Sequence, residues 1–210
     1  GMVRNGLKLE PRLLALVASS HSGSAEHQAG VLEILKSAGL DESHLKNIAD
    51  KPLGESERRE WGDKAPTKLA MNCSGKHAGM LATCVANGWS IENYLDPEHP
   101  LQIEIKKELV RLSEESVLKT TADGCGAPLF LMTMNGLANT ARNITISSDP
   151  VHQQVVSACR ANPMMVAGKD RATTKFMEST SGLFVKDGAE GVGFSSMPDG
   201  RVVVFKIGDG

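Results

Sequence analysis

Three loops of this sequence concentrate small and reactive residues: Ala18-Ser-Ser-His-Ser-Gly-Ser24, Met71-Asn-Cys-Ser-Gly-Lys-His77 and Thr121-Ala-Asp-Gly-Cys-Gly-Ala-Pro128. Each also reads as an ordinary turn with a helix cap, because glycine and serine cluster in turns for conformational reasons alone. Two of the four cysteines sharpen the picture. Cys73 and Cys125 lie in glycine-containing loops beside expected helix starts, where the helix dipole helps to hold a thiolate. Cys84 and Cys159 fall on apolar helix faces and read as packing residues. By spacing alone, Cys73 and His77 share a face one helical turn apart, and Cys125 completes a thiolate-rich set suited to zinc with an open fourth position. Wide cysteine spacing without a secretory signal favours thiols or a metal over disulfides. Lys186 stands in a β-type run ahead of Asp187-Gly188. Taken alone, it reads as a solvated strand-end lysine.

The elements that must position these groups follow from periodicity. Ser24 caps a helix with Ala25, Ala29, Val31, Leu32 and Leu35 on its apolar face, ending near Gly39. A polar stretch from Asp50 to Thr67 reads as a surface excursion with one short helix around Glu55 to Trp61. Cys73 or Ser74 opens a second helix that Asn87-Gly88 stops, and Pro100 to Glu115 is an amphipathic helix. A short strand before the third loop is expected, and Pro128 is expected to open a further helix through Leu137 to Ala141. Val151 to Cys159 gives one more. The segments 182–186, 191–194 and 201–206 are β-type runs separated by Asp187-Gly188 and Pro198-Asp-Gly200, which are hairpin-turn sequences. Helices followed by an antiparallel meander predict an α+β fold, with one sheet covered by helices in a single domain over 1–210.

Composition bounds the function. The 210 residues carry 23 basic and 25 acidic side chains, so no basic stripe points to nucleic acid as a partner. Aromatic residues make up 4% of the chain, which leaves an aliphatic core with nine methionines to fill gaps. The apolar runs Leu13 to Ala18 and Met80 to Ala86 are far below the roughly 18 residues of a membrane span. Gly1-Met2 reads as a tag remnant before a start methionine, and the chain as a soluble, cytoplasmic protein.

Five motifs occur in order: Ser19-Ser-His-Ser-Gly23 with His27, Cys73-Ser-Gly-Lys-His77, Asp123-Gly-Cys-Gly-Ala-Pro128, Asn162-Pro163 with Val166-Ala-Gly168, and Val185-Lys-Asp-Gly-Ala-Glu-Gly191. Together they resemble the L-asparaginase II family, the asparaginases related in fold to serine glutaminases and class A β-lactamases. The Lys186 run is likewise similar to the lysine-containing strand motif of the penicillin-recognising serine enzymes, which implies a lysine serving a hydroxyl from the turn Ser20-His-Ser22. The resemblance implies hydrolysis of L-asparagine to aspartate and ammonia by two serine–lysine pairs, the second of which falls on Ser20 and Lys186. It also implies a zinc ion held by Cys73, Lys76 and Cys125, with His77 left beside the metal or as an alternative ligand. A homodimer is the implied assembly.

One feature departs from the pattern. The family's Ser-x-x-Lys pair is expected well upstream of Ser20, yet Ser20 comes 18 residues after Met2. Ser43-x-x-Lys46 and Ser116-x-x-Lys119 fit the spelling in the wrong places. The expectation is therefore a truncated chain with a recognisable cleft and little or no turnover. Alternatives are a non-catalytic zinc-binding member of the same fold, and a glutaminase-like or β-lactam-recognising hydrolase.

Overall fold

The computed structural model describes residues 1–209. The apolar run after Pro11 folds as α1 (Pro11–Val17), whose residues 13–17 are all buried. Ser24 caps α2 (Ala25–Ser37) by accepting the His27 amide, and the polar excursion carries α3 (Glu55–Trp61). Cys73 begins α4 (Ser74–Asn87), which ends on Gly88 in the left-handed conformation. His99 then caps α5 (Pro100–Ser113). A hairpin follows, made of β1 (Lys119–Ala122) and β2 (Pro128–Leu131), and then α6 (Met134–Ile146), α7 (Pro150–Ala161), α8 (Pro163–Val166) and α9 (Ala172–Ser179). The chain finishes in an antiparallel sheet of β3 (Phe184–Asp187), β4 (Val192–Ser196) and β5 (Val202–Lys206), in that spatial order. The α+β class and the antiparallel meander expected from sequence are thus observed, with Lys186 paired to Phe194. Among the described residues no helix is long and apolar enough to cross a membrane.

One expected element is wrong. Pro128 does not open a helix; it starts β2, opposite Ala122. A proline is tolerated there because the hairpin has only two strands, so its missing N–H leaves no ladder position empty. The helix begins instead at Met134, where the Thr133 hydroxyl accepts the Gly136 amide at 3.0 Å. The short helices α8 and α9 carry no strong period of their own and were not anticipated.

Helix α1 is the hub. It packs against α7, α4, α8 and α2, while α6 lies on β4 and β5, and α9 and α7 flank β3. Glycine makes the close approach of α4 to α1 possible. A Cβ on Gly75 would come within 2.5 Å of the Leu16 carbonyl oxygen, and one on Gly79 within 2.6 Å of a Val17 methyl. Neither helix can back away without opening the core. A Gly75→Ala substitution gains helix propensity of about 1 kcal/mol but forces an overlap with fixed backbone that costs about 1–3 kcal/mol or more. We expect a net fall in melting temperature of several degrees by calorimetry, whereas Gly208→Ala, with nothing within 4 Å, should leave it unchanged. An unchanged melting temperature for Gly75→Ala would mean that the two helices have slack between them.

Candidate active site and metal cluster

The loop from Ala18 to Ser24 is threaded through the interior and held on both sides. The Ser20 and Ser22 amides donate to the carbonyls of Val166 and Ala167 at 3.2 and 2.6 Å, and the His21 amide donates to Asn72 at 3.2 Å. Gly168, at φ +128°, leaves room for Ser22, whose Oγ would lie 2.3 Å from a Cβ there. Ser19 and Ser22 spend their hydroxyls on the Leu16 carbonyl and on Glu57 of α3, at 2.6 and 2.8 Å. The half-buried Ser20 makes no side-chain hydrogen bond among the described residues, so its hydroxyl is available.

His21 of this loop and His27 in the first turn of α2 are fixed as neutral rings. Ser74 Oγ donates to the Leu69 carbonyl, so the contact of 3.0 Å between His21 Nε2 and Ser74 Oγ must be a donation from the imidazole. Its Nδ1 accepts the Gly23 amide at 3.1 Å. His27 is arranged alike, with Nδ1 accepting from the Ser24 amide and Nε2 donating to the Met164 carbonyl at 2.9 Å. Burial pushes both below the ordinary imidazole pKa, His21 furthest, and the charge of Lys186 adds to the effect on His21.

Lys186 Nζ is buried and has no hydrogen-bond partner. Burial pulls its pKa below that of an ordinary lysine, with Arg171 adding to the shift and Cys159, Asp187 and Cys73 opposing it. The solvated strand-end reading is therefore excluded. The next residue, Asp187, points the other way and accepts from Arg171 Nη2 and Thr173 Oγ1 of α9, each at 2.5 Å, which pins the strand. The structure brings Lys186 into the electrostatic neighbourhood of His21, the residue after Ser20, but no hydrogen bond joins Ser20 to Lys186.

The cysteine cluster forms where the start of α4 meets the tip of the β1–β2 hairpin. Cys73, Asp123 and Cys125 each offer a ligand atom, and these three atoms lie within 4.8 Å of one another. Both cysteines are buried, and Lys76 Nζ pairs with Asp123 Oδ2 at 3.3 Å. Cys73 and Cys125 share a proton unequally: hydrogen bonding from Cys73 pulls the Cys125 pKa down while the Cys73 pKa rises, with His77 and Lys76 assisting the Cys125 thiolate and burial opposing it. As a thiol, Cys125 donates to Asp123 Oδ2, 3.1 Å away. As a thiolate it sets two anions side by side, with the Lys76 ammonium next to them.

That donor set fits zinc. Two cysteine sulfurs and a carboxylate oxygen within 4.8 Å of one another are donors of the kind zinc takes. Lys76 is held as an ammonium despite burial, by Cys73, Cys125 and Asp123. As a ligand it must first give up that proton. His77 Nε2 is buried and without a hydrogen-bond partner.

Sequence reasoning left two participants unassigned. Asp123 stood inside a quoted motif, and its place two residues before Cys125, on the same tight turn, was the available signal. Tyr94 is the only tyrosine of the chain and is fully buried. A buried hydroxyl needs partners, but nothing in its local sequence names them.

No curated protein matches the chain. The family model described as L-asparaginase II matches residues 1–210, and the chain belongs to the L-asparaginase II family.

Proposed function

We propose that the protein hydrolyses the side-chain amide of L-asparagine to L-aspartate and ammonia, on a fold of the serine β-lactamase and glutaminase type. The observation that carries this reading is the buried, unpartnered Lys186 amine close to a loop with a free serine hydroxyl. A lysine acts as a base only when its surroundings favour the neutral form, and this one is so placed. Ser20 Oγ would attack the amide carbon while Lys186 Nζ takes the hydroxyl proton and returns it to the departing ammonia. Attack by water on the resulting ester repeats the proton movement in reverse. The resemblance implies a second serine–lysine pair acting with this one, and groups of this kind act as a unit. The small pair of arms that hold Asp187 keeps β3, and with it Lys186, from shifting.

Cys73 and Cys125 would hold a zinc ion, together with Asp123 or with Lys76 in its neutral form. When bound, the metal would supply a Lewis acid with one position open to an oxygen ligand. Metal content without turnover would favour the alternative of a zinc-binding, non-catalytic member.

Ammonia release tests the reaction. We expect L-asparagine to be turned over in preference to L-glutamine, and Ser20→Ala and Lys186→Met each to lower the rate by about a hundredfold or more. Because the neutral amine is the working form and its pKa is lowered, the rate should rise with pH and level off below the pH at which an ordinary lysine loses its proton. Calorimetric titration with L-aspartate and L-glutamate separates binding from chemistry. Absence of ammonia together with absence of L-aspartate binding would overturn the proposal.

Elemental analysis tests the metal. About one zinc per chain is expected, with Cys73→Ser and Cys125→Ser each weakening binding by more than the ~10–100-fold typical of groups behind the ligands. Comparing Asp123→Asn with Lys76→Met shows which of the two completes the site.

A further inference from the structure

We infer that Glu57 is a positioning residue for the serine loop: the excursion that carries α3 is a strap fastened to that loop at Ser22, and the Glu57 carboxylate is its latch. For its kinetic readout the inference rests on the hydrolase reading proposed above. The starting point is how residues 51–66 are attached. Within this segment only Pro52 and Gly54 are buried, and α3 has no buried residue. Its polar bonds close mostly on itself. Lys51 Nζ donates to the Gly62 carbonyl at 2.7 Å, and Trp61 Nε1 to the Lys64 and Ala65 carbonyls at 3.2 Å. Asp50 and Thr67 close the neck, each amide donating to the other carbonyl at 3.1 Å. Beyond that neck, and among the described residues, two hydrogen bonds leave the segment, and both end on Ser22. The Gly54 amide donates to the Ser22 carbonyl at 2.9 Å, and the Ser22 hydroxyl donates to Glu57 Oε1 at 2.8 Å.

Ser22 is a fixed point because it is gripped from both sides. It is fully buried, and a Cβ on either Gly54 or Gly168 would come within 2.6 Å of its own Cβ. A carboxylate only accepts, so the hydroxyl proton goes to Glu57. The other acceptor in reach, His27 Nδ1, is 3.5 Å away and already takes the Ser24 amide. Without Glu57 a buried hydroxyl is left poorly paired, which is costly. Glu57 itself has no cation within ion-pair distance among the described residues; its partners are the hydroxyls of Ser22 and Ser56. It acts here as an acceptor and not as half of an ion pair.

Three stretches therefore meet at Ser22: the α3 excursion, the serine loop and the connection from α8 to α9, whose Ala167 carbonyl takes the Ser22 amide. A segment with so few buried contacts opens locally at small cost. Opening it here releases the residue that stands two places from Ser20, so strap and loop are ordered together. Glu57 makes no hydrogen bond to Ser20 or Lys186 and acts through Ser22. A serine displaced by a fraction of an ångström loses rate before it loses substrate binding.

Hydrogen exchange followed by mass spectrometry reads the latch without turnover. Glu57→Ala should speed exchange about tenfold in residues 51–66 and 19–23 together, leaving α1 and α4 as protected as in the wild type. Glu57→Gln, whose amide oxygen still accepts the Ser22 hydroxyl, should restore the wild-type pattern, and Glu57→Asp, one carbon shorter, should not. In ammonia release from L-asparagine, Glu57→Ala should lower kcat about tenfold with KM changed less than about twofold, and Glu57→Gln should recover most of the rate. Ser22→Ala combined with Glu57→Ala should be no slower than Glu57→Ala alone. Faster exchange throughout the chain, α4 included, would mean general destabilisation and overturn the inference. So would an excursion that loosens while residues 19–23 stay protected, or additive losses in the double variant. A Glu57→Gln variant as impaired as Glu57→Ala, or a raised KM with kcat intact, would make Glu57 a charged contact of the substrate instead. If the wild type releases no ammonia, the hydrolase reading fails separately and the exchange pattern still decides the matter.

Discussion

The close approach of α4 to α1 is the contact on which the rest of the site depends. With glycine at positions 75 and 79, the start of α4 sits directly against the end of α1, where a side chain would collide with the Leu16 carbonyl. The loop that leaves α1 and the loop that enters α4 therefore run side by side, joined by the His21 amide on Asn72 and by His21 Nε2 on Ser74. Ser20 and Cys73 are brought into one region by this packing, although the two stand 53 residues apart in the sequence. On its other side the same loop is held by Val166 and Ala167, so its backbone acts as a strand between two neighbours without being part of a sheet. A serine on such a loop is placed more firmly than one on a surface turn, because moving it breaks bonds on both sides.

Electrostatics then divides the region into two chemically different halves that feel each other. The serine half contains a buried amine and neutral imidazoles, while the cysteine half contains two sulfurs and a carboxylate against one ammonium. The fields of Lys186 and Cys73 act on one another, which places the halves within electrostatic reach. The two halves thus share one buried region, joined through the loop at His21 and the start of α4.

How much of this was legible in the sequence depends on the range of the signal. The caps and periods of α2, α4 and α5, and the hairpin turns of the last strands, are local, and they were read within a residue or two. The strand at Pro128 was misread because proline suits both a helix start and the first position of a two-stranded hairpin, and only the pairing with Ala122 decides. Cys73 and Cys125 were recognisable as a pair from their settings. That Asp123 stands with them was not, since an Asp-Gly turn has a sufficient local explanation. Tyr94 lies 17 residues from His77 and 48 from Lys46, and no local pattern encodes a contact of that reach. That Lys186 is buried and not a solvated strand end was decided only by the packing of helices against β3.

The hydrogen bonds of the histidines account for a lysine, and not an imidazole, being the base in the proposed reaction. His21 and His27 each accept a backbone amide on Nδ1 and donate from Nε2 to a fixed oxygen. Protonating either ring would replace the lone pair that receives an N–H with a second N–H, so burial and hydrogen bonding both oppose it. An imidazole with both nitrogens engaged orders its surroundings but cannot accept a proton from a substrate or a serine. Lys186 is the reverse case. Its nitrogen is buried, keeps no partner and is drawn toward the neutral form, so its lone pair is the one not already committed to the fold. His21 and His27 thus serve as scaffold, and in the proposed reaction the proton falls to the amine on β3.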